Sequence, residues 1–245
     1  MNAPASSLAQ FGSFLARKGR RAWRLTVTAK EQITPRMVRV CFQGPDLDEL
    51  VWKRGQDLVI ELPETGGQIA RRHYTIRQHD PKARTLAIDF VQHGDSAAGR
   101  WLAAVKPGDA IDGAGPRGHT YLHEADWHLF IGDETCIPGI FAMLEALPRG
   151  AKAFVFLEIA DEAEKQTVET ASDVTIRWIV RNGDALGAAV EGFALPPERG
   201  HAYVIGETSK IRAIRHGLLS RGLGKDQISA EGYWRPGRVG GHDHV

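Results

Sequence analysis

Residues 128–147 read HLFIGDETCIPGIFAMLEAL. The first five, His128 to Gly132, form a short apolar run that suits a buried strand. A carboxylate-bearing turn follows at Asp133, Glu134 and Thr135. From Pro138 to Leu147 the apolar residues recur at helical spacing. Strand, turn and helix in one such stretch are the repeating unit of a parallel sheet covered by helices. The unit recurs downstream. Strands are expected at Lys152–Ile159, Val174–Val180 and His201–Gly206, and helices at Glu162–Glu169, Leu186–Phe193 and Ser209–Arg221. ISAEGYW, 228–234, reads as a closing strand.

Upstream of residue 125 the character changes. Segments 22–30, 36–43, 57–62, 71–77 and 85–92 are short, alternate in polarity and are punctuated by Gly and Pro, as strands are. KPGDAID, 106–112, reads as a turn and a sixth strand. One helix is expected at about Ala97–Ala104. Six short strands with one helix imply a small antiparallel β-barrel. The expected organisation is an arm at 1–21, a barrel domain at 22–122, an α/β domain at 123–234 and a tail at 235–245. The linker falls in HTYLHEADW, 119–127.

Composition bounds the function. The chain has 245 residues, of which 42% are hydrophobic and 25% charged, so disordered, collagen-like and coiled-coil classes are excluded. Lys and Arg number 31 against 30 Asp and Glu, which argues against a dedicated nucleic-acid binder. Cys41 and Cys136 cannot build a disulfide framework or ligate an iron–sulfur cluster. No run is apolar enough to span a bilayer, and the N-terminal charges Arg17, Lys18, Arg20 and Arg21 follow the apolar part instead of preceding it, unlike an export signal. A cytoplasmic protein without integral membrane association is expected, as a monomer or weak dimer. His119, His123, His242 and His244 do not make a convergent ligand set, so no metal site is expected.

Four motifs bear chemistry. Arg72-His73-Tyr74-Thr75, with Arg77 beyond, offers cations, an aromatic face and a hydroxyl within a few residues. A bound flavin dinucleotide needs all three. An amphipathic surface strand with a buried Tyr would read the same way. Asp89, Val91 and His93 lead through Gly94 to Ser96-Ala97-Ala98-Gly99, where small residues open a helix N-terminus to a phosphate. The alternative is a plain capped helix docking Trp101. Gly132-Asp133-Glu134-Thr135 occupies the usual place of a phosphate turn, yet G-x-G-x-x-G occurs nowhere in the chain. Its carboxylates suit a nicotinamide or ribose contact, or helix capping. Tyr233, Trp234, Arg235 and Arg238 can cover an aromatic ring and attract an anion, or form a core Trp with solvated arginines.

Taken together, RRHYTIR, DFVQHG, KPGDAIDGAGPRG, FIGDETCIP and EGYWRPG, with ITPRMVRVCFQGPDL ahead of them, resemble the siderophore-interacting proteins. These are FAD-dependent ferric-siderophore reductases of the ferredoxin–NADP reductase superfamily. The resemblance spans about residues 22–238. It implies a six-stranded barrel that binds FAD, followed by an α/β domain that binds NAD(P)H. Arg72, Tyr74 and Thr75 would hold the flavin phosphate, ring and N5 side, with Tyr74 and Thr75 at the chemistry and Arg77 nearby. Asp89, Val91 and His93 would line the FAD site, and Ser96, Ala97, Ala98 and Gly99 would face its pyrophosphate. Gly132, Asp133, Glu134, Thr135, Gly206, Glu207 and Thr208 would border the nicotinamide nucleotide. Trp234 would lie close to the flavin.

The implied activity carries electrons from NAD(P)H to chelated Fe(III), releasing Fe(II), with the ferric siderophore as substrate. Lys53, Arg54, Arg235 and Arg238 are the candidate contacts for an anionic chelate. Two other functions fit the same features: a general flavin-dependent ferric reductase and a non-enzymatic siderophore carrier. The resemblance leans to NADPH as donor. Glu158, at the end of a strand, would instead favour a ribose hydroxyl, and Arg181 would favour a phosphate.

Overall fold

The computed structural model describes residues 21–238 and 243–244. The arm before Arg21 and most of the tail lie outside the described residues. Contacts divide the chain after Gly118 into two units.

The first unit is all antiparallel. Its strands are β1 (Arg21–Thr34), β2 (Met37–Gln43), β3 (Asp57–Pro63), β4 (Ile69–Thr75), β5 (Gln78–Asp80), β6 (Thr85–Val91) and β7 (Ala110–Arg117), with helix α1 (Ala97–Ala104) between the last two. They form one sheet in the order β4-β3-β7-β1-β2-β6-β5. The two edge strands of that order, β4 and β5, are joined by only Ile76 and Arg77, and two residues cannot span an open seven-stranded sheet. The sheet must therefore curl until its edges meet. Ile76 N–H still donates to Gln56 O on the β3 side, while Arg77 N–H donates to Ala87 O on β6. That handover ends β4 at Thr75, two residues earlier than the alternation suggests.

The inner face of the curl is the core. Leu25 and Val27, Val40 and Phe42, Leu58 and Ile60, and Ile88 and Phe90 alternate inward along their strands. Trp101 and Leu102 of α1 close one end. The sequence anticipates six of the seven strands. The one it misses, β5, has three residues and exists only through its pairing with β6. The last strand begins at Ala110 because Lys106–Asp109 is a turn, with Gly108 at φ +92° and Lys106 N–H on Asp109 Oδ2.

The second unit contains β8 (Trp127–Asp133), α2 (Ile137–Leu144), β9 (Lys152–Ile159), β10 (Asp173–Val180), α3 (Ala185–Glu191), β11 (Gly200–Glu207), α4 (Thr208–Ser220), β12 (Ile228–Trp234) and the two-residue β13 (Asp243–His244). The order is β10-β9-β8-β11-β12-β13. All pairings are parallel except that of β13. The expected helix at Glu162–Glu169 is absent. Asp161 caps a single 3₁₀ turn at Glu162–Glu164, and an irregular stretch leads on to β10. The segment EAEKQTVE has only Ala163 and Val168 as apolar residues, too few for a stripe that could dock on the sheet. Helix α2 stops at Leu144, where the backbone tightens into i→i+3 bonds before Pro148.

The chain runs outward from β8 to β9 and β10, then returns across β8 to β11. The carboxyl ends of β8 and β11 thus flank the point where the order reverses, the position at which open α/β sheets bind ligands.

Alternate residues of β8 and β11 face opposite sides. Trp127, Leu129, Ala202 and Val204 pack with α3 and α4. His128, Phe130, His201 and Tyr203 form an aromatic layer on the other side. Phe130 and Tyr203 stack at 4.6 Å, and His123 stacks on His201 at 4.2 Å. Burial pushes His128 and His201 down from 6.5 to about 4, with neighbouring histidines reinforcing the shift at His201. Both are therefore kept neutral in the fold. Their stabilisation is complete above about pH 6.5 and is lost as pH falls toward 4, because there the unfolded chain binds the extra protons. Each contributes a slope of about 1.4 kcal/mol per pH unit. Denaturant unfolding across that window should show this decline, and His128→Phe should remove about one proton's share of it. An unchanged slope in the variant would remove His128 from the account.

Candidate functional site

The flavin motif lies at the barrel seam. Tyr74 faces inward, with its ring 4.3 Å from Phe90, which is 5.4 Å from Trp101 of α1. This aromatic row ties the motif strand to the helix. Burial lifts the Tyr74 phenol far above its ordinary range, so it stays protonated. Thr75, the last residue of β4, is buried. Arg72 shares the Tyr74 face by alternation, and its guanidinium donates to the neighbouring Arg71 carbonyl at 3.0 Å.

Other members of the motif have partners within the protein. Arg77 Nε lies 3.7 Å from Asp89 Oδ2, and Arg39 holds Asp89 bidentately at 2.7 and 2.8 Å. Both Arg77 and Asp89 are buried, so they serve the barrel wall. His73 sits between Asp57 Oδ1 at 3.0 Å and Arg117 Nη1 at 2.8 Å, pinning β4 to β3 and β7. Val91 is half-buried at the end of β6, and His93 is exposed just beyond.

Ser96 caps α1 by accepting from Gly99 N–H at 3.1 Å. The N–H groups of Ala97 and Ala98 have no acceptor within the helix. Both side chains are methyl groups turned into the core. Gly99 is crowded: a Cβ there would meet Gly94 O and Ser96 Oγ at 3.3 Å. The turn thus holds two backbone donors without a helical acceptor, the kind of group a phosphate can take. Together with Arg72 and the Tyr74 face, these groups match the donors and ring surface that FAD requires.

The turns of the second unit are built differently. Asp133 ends β8 and is buried. Its Oδ1 accepts from Thr135 N–H at 2.9 Å and from the Thr135 hydroxyl at 2.5 Å. Its Oδ2 accepts from Glu207 N–H at 3.1 Å and from Trp234 Nε1 at 2.8 Å. Three separate sequence motifs thus converge on one carboxylate. Two glycines make room at this junction, Gly132 for the Cys136 thiol and Gly206 for the carboxylate. A Cβ at Gly132 would lie 2.2 Å from Cys136 Sγ, and one at Gly206 (φ +139°) would lie 2.6 Å from Asp133 Oδ2. Burial keeps the Cys136 thiol protonated, and its one S–H has Asp133 O at 3.0 Å and Ile205 O at 3.3 Å as acceptors within reach.

Glu207 caps α4, accepting from Ser209 N–H at 2.9 Å and Lys210 N–H at 3.1 Å. Burial alone would raise its pKa, but these donors outweigh it and hold the carboxyl below its usual range. Thr208 Oγ1 donates to Trp234 O at 3.1 Å. Beside this turn, Glu158 accepts from Lys210 Nζ at 2.8 Å and Arg181 Nε at 3.0 Å, while Arg181 Nη2 also pairs with Glu134. Burial pushes the Glu134 carboxyl up, against the pull of Arg181.

Sequence reasoning singled out Gly132 to Thr135, Gly206 to Thr208 and Trp234, and the structure gathers them around Asp133. It did not single out Lys210, a residue on an ordinary helix. Neither Asp133 nor Glu134 caps α2, whose N-cap is Cys136 without a side-chain bond; Glu207 is the carboxylate that caps a helix.

The candidate chelate contacts are split. Lys53 and Arg54 are exposed in the first unit, with Arg54 stacked on Trp52 at 4.7 Å. Arg235 and Arg238 belong to the second. Arg235 lines a cavity of about 330 Å³ with Arg212, His216, Ser209 and Thr208. Among the described residues no group of three or more His, Cys, Asp or Glu could hold a metal ion, and no helix is long and apolar enough to cross a membrane.

Residues 56–120 match the family model for the siderophore-interacting FAD-binding domain, and residues 125–237 match that for the siderophore-interacting protein. The ferric vibriobactin reductase ViuB of Vibrio cholerae is 35% identical over 176 residues, covering 68% of this chain and 65% of that protein, just under two thirds of its length. A siderophore utilization protein from T. fusca superposes with a TM-score of 0.84 at 34% identity, covering 90% of this chain and 95% of that one. The siderophore-interacting protein SipS of Aeromonas hydrophila gives 0.79 at 27% identity, covering 90% and 94%.

Proposed function

Because this chain belongs to the siderophore-interacting protein family, we propose that it is an FAD-dependent oxidoreductase that carries electrons from a reduced nicotinamide nucleotide to ferric iron held in a siderophore. The observation that supports the reading is the aromatic row Tyr74–Phe90–Trp101, which ties the strand carrying Arg72, Tyr74 and Thr75 to the Ser96-capped helix whose first N–H groups are assigned to the phosphate.

Bound FAD would supply the conversion of one hydride into two single electrons. The chain supplies the rest. Arg72 and the Ala97 and Ala98 N–H groups hold the diphosphate. The Tyr74 ring, fixed by Phe90, orients the flavin ring, and Thr75 is the donor assigned to its N5 edge. In the second unit the Asp133 hub sets the positions of Thr135, Glu207 and Trp234 for the nicotinamide nucleotide. Ferrous iron is held less strongly than ferric by hard oxygen ligands, so reduction loosens the chelate. The protein then needs cations to draw in an anionic chelate, and Arg235, Arg238, Lys53 and Arg54 are the candidates.

The test is a stoichiometry. FAD-loaded protein, a reduced nicotinamide and a ferric siderophore are mixed anaerobically with a ferrous-trapping dye. Two ferrous ions should appear for each nucleotide oxidised. Nucleotide binding and chelate binding without ferrous iron would instead identify a carrier. Equal rates with unrelated ferric chelates would identify a general ferric reductase.

A further inference from the structure

In an open α/β sheet a dinucleotide usually lays its phosphates on the N–H groups of the turns at the switch point. Here four of those donors are taken by side-chain carboxylates. Asp133 takes the N–H groups of Thr135 and Glu207, and Glu207 takes those of Ser209 and Lys210. Pro138, at the start of α2, has no N–H to offer. What remains at the carboxyl ends of β8, β9 and β11 is a set of side-chain charges. Three carboxylates, Glu134, Glu158 and Glu207, face two cations, Arg181 and Lys210.

Both cations are committed. Glu158 is buried and accepts from each of them, and Glu134 pairs with the far side of Arg181. In sheets with the G-x-G-x-x-G fingerprint an acidic residue at the end of the second strand ordinarily reads the ribose 2′-hydroxyl, and Glu158 at the end of β9 holds the corresponding position. The Glu158 oxygens are already occupied. Discrimination therefore falls to Arg181, the residue just after β10. A 2′-phosphate would have to strip Arg181 from Glu134 and come up against the carboxylates of Glu134 and Glu158.

Resting on the reading of this unit as a nicotinamide-nucleotide domain, we propose that the Glu134–Arg181–Glu158–Lys210 network selects NADH over NADPH, with Glu134 as the positioning residue that keeps Arg181 from a 2′-phosphate. This reverses the preference that the family resemblance suggests.

The experiment measures kcat and KM for both nucleotides with the FAD-loaded full-length chain, and the binding of 5′-AMP and 2′,5′-ADP by calorimetry. The wild-type protein should favour NADH, and 5′-AMP over 2′,5′-ADP, by about tenfold or more, the scale of one charge-assisted hydrogen bond. Glu134→Gln should shift the NADPH-to-NADH ratio by about tenfold toward NADPH, through KM and not kcat. Glu134→Asp should restore the wild-type ratio. A wild-type preference for NADPH would overturn the inference whether or not the variants fold. So would a Glu134→Gln protein that weakens both nucleotides equally. If neither nucleotide is bound or oxidised, the nicotinamide reading itself fails, and this inference with it.

Discussion

Asp89→Ala is expected to destabilise the first unit by about 3–5 kcal/mol, the cost of removing one partner from a buried ion pair. The carboxylate is nearly inaccessible, with its side chain 2% exposed, and Arg77 opposite it is 6% exposed. Arg39 donates to both its oxygens. Alanine would leave two guanidinium groups facing each other inside the wall, next to the two-residue link that closes the curled sheet. Thermal unfolding of the apo-protein checks this, and the loss should be accompanied by poor retention of FAD. Asp89→Asn should be milder, since it keeps the shape and one acceptor. An unfolding midpoint for Asp89→Ala equal to that of the wild type would show that the Arg39–Asp89–Arg77 cluster does not hold the seam.

Arg72→Ala is expected to do the opposite: little to stability and much to the cofactor. Its side chain is bonded to a neighbouring backbone carbonyl, so truncation leaves no buried group without a partner. If Arg72 meets the FAD diphosphate, its loss removes one charge-assisted hydrogen bond, which weakens FAD binding about 10- to 150-fold. Titrating apo-protein with FAD by fluorescence quenching reads the affinity, and thermal unfolding of the same sample reads the stability. Weaker binding at an unchanged midpoint assigns Arg72 to the cofactor. Unchanged affinity would move the phosphate contact away from this residue.

Much of the architecture was legible in the sequence because it rests on local periodicity. Period-two alternation marked most of the barrel strands, and the strand–turn–helix pattern marked the α/β unit. Lys152–Ile159, Ala97–Ala104 and Ile228–Trp234 fall where that reading puts them. The misses have a common cause. The three-residue β5 has no period of its own and is created by its neighbour. The segment at 162–169 is polar enough for a solvated helix but has nothing to dock. The strand through Tyr74 ends early because its chain changes partners.

The site was legible as residue types but not as partnerships. Arg77 and Asp89 both look like ligand contacts in a linear string, and only the fold shows Arg39, 50 residues from Asp89, joining them. Asp133 reads as one more acidic turn residue until Glu207 and Trp234, 74 and 101 residues away, are seen donating to it. Lys210 has no motif at all, and its bond to Glu158 spans 52 positions. Local spacing carries no record of such pairings, whereas the Ser96 cap of α1 was readable because Ser96, Ala97, Ala98 and Gly99 are contiguous.

The proposed activity takes electrons from a nicotinamide nucleotide and delivers them to chelated iron. An anaerobic visible spectrum of the FAD-loaded protein tests it most directly, recorded during titration first with NADH and then with a ferric siderophore. The yellow absorbance of the bound cofactor should bleach with NADH and return in full when the ferric chelate is added. A spectrum unchanged by NADH and by NADPH, or one that bleaches and stays colourless after the chelate, would contradict it.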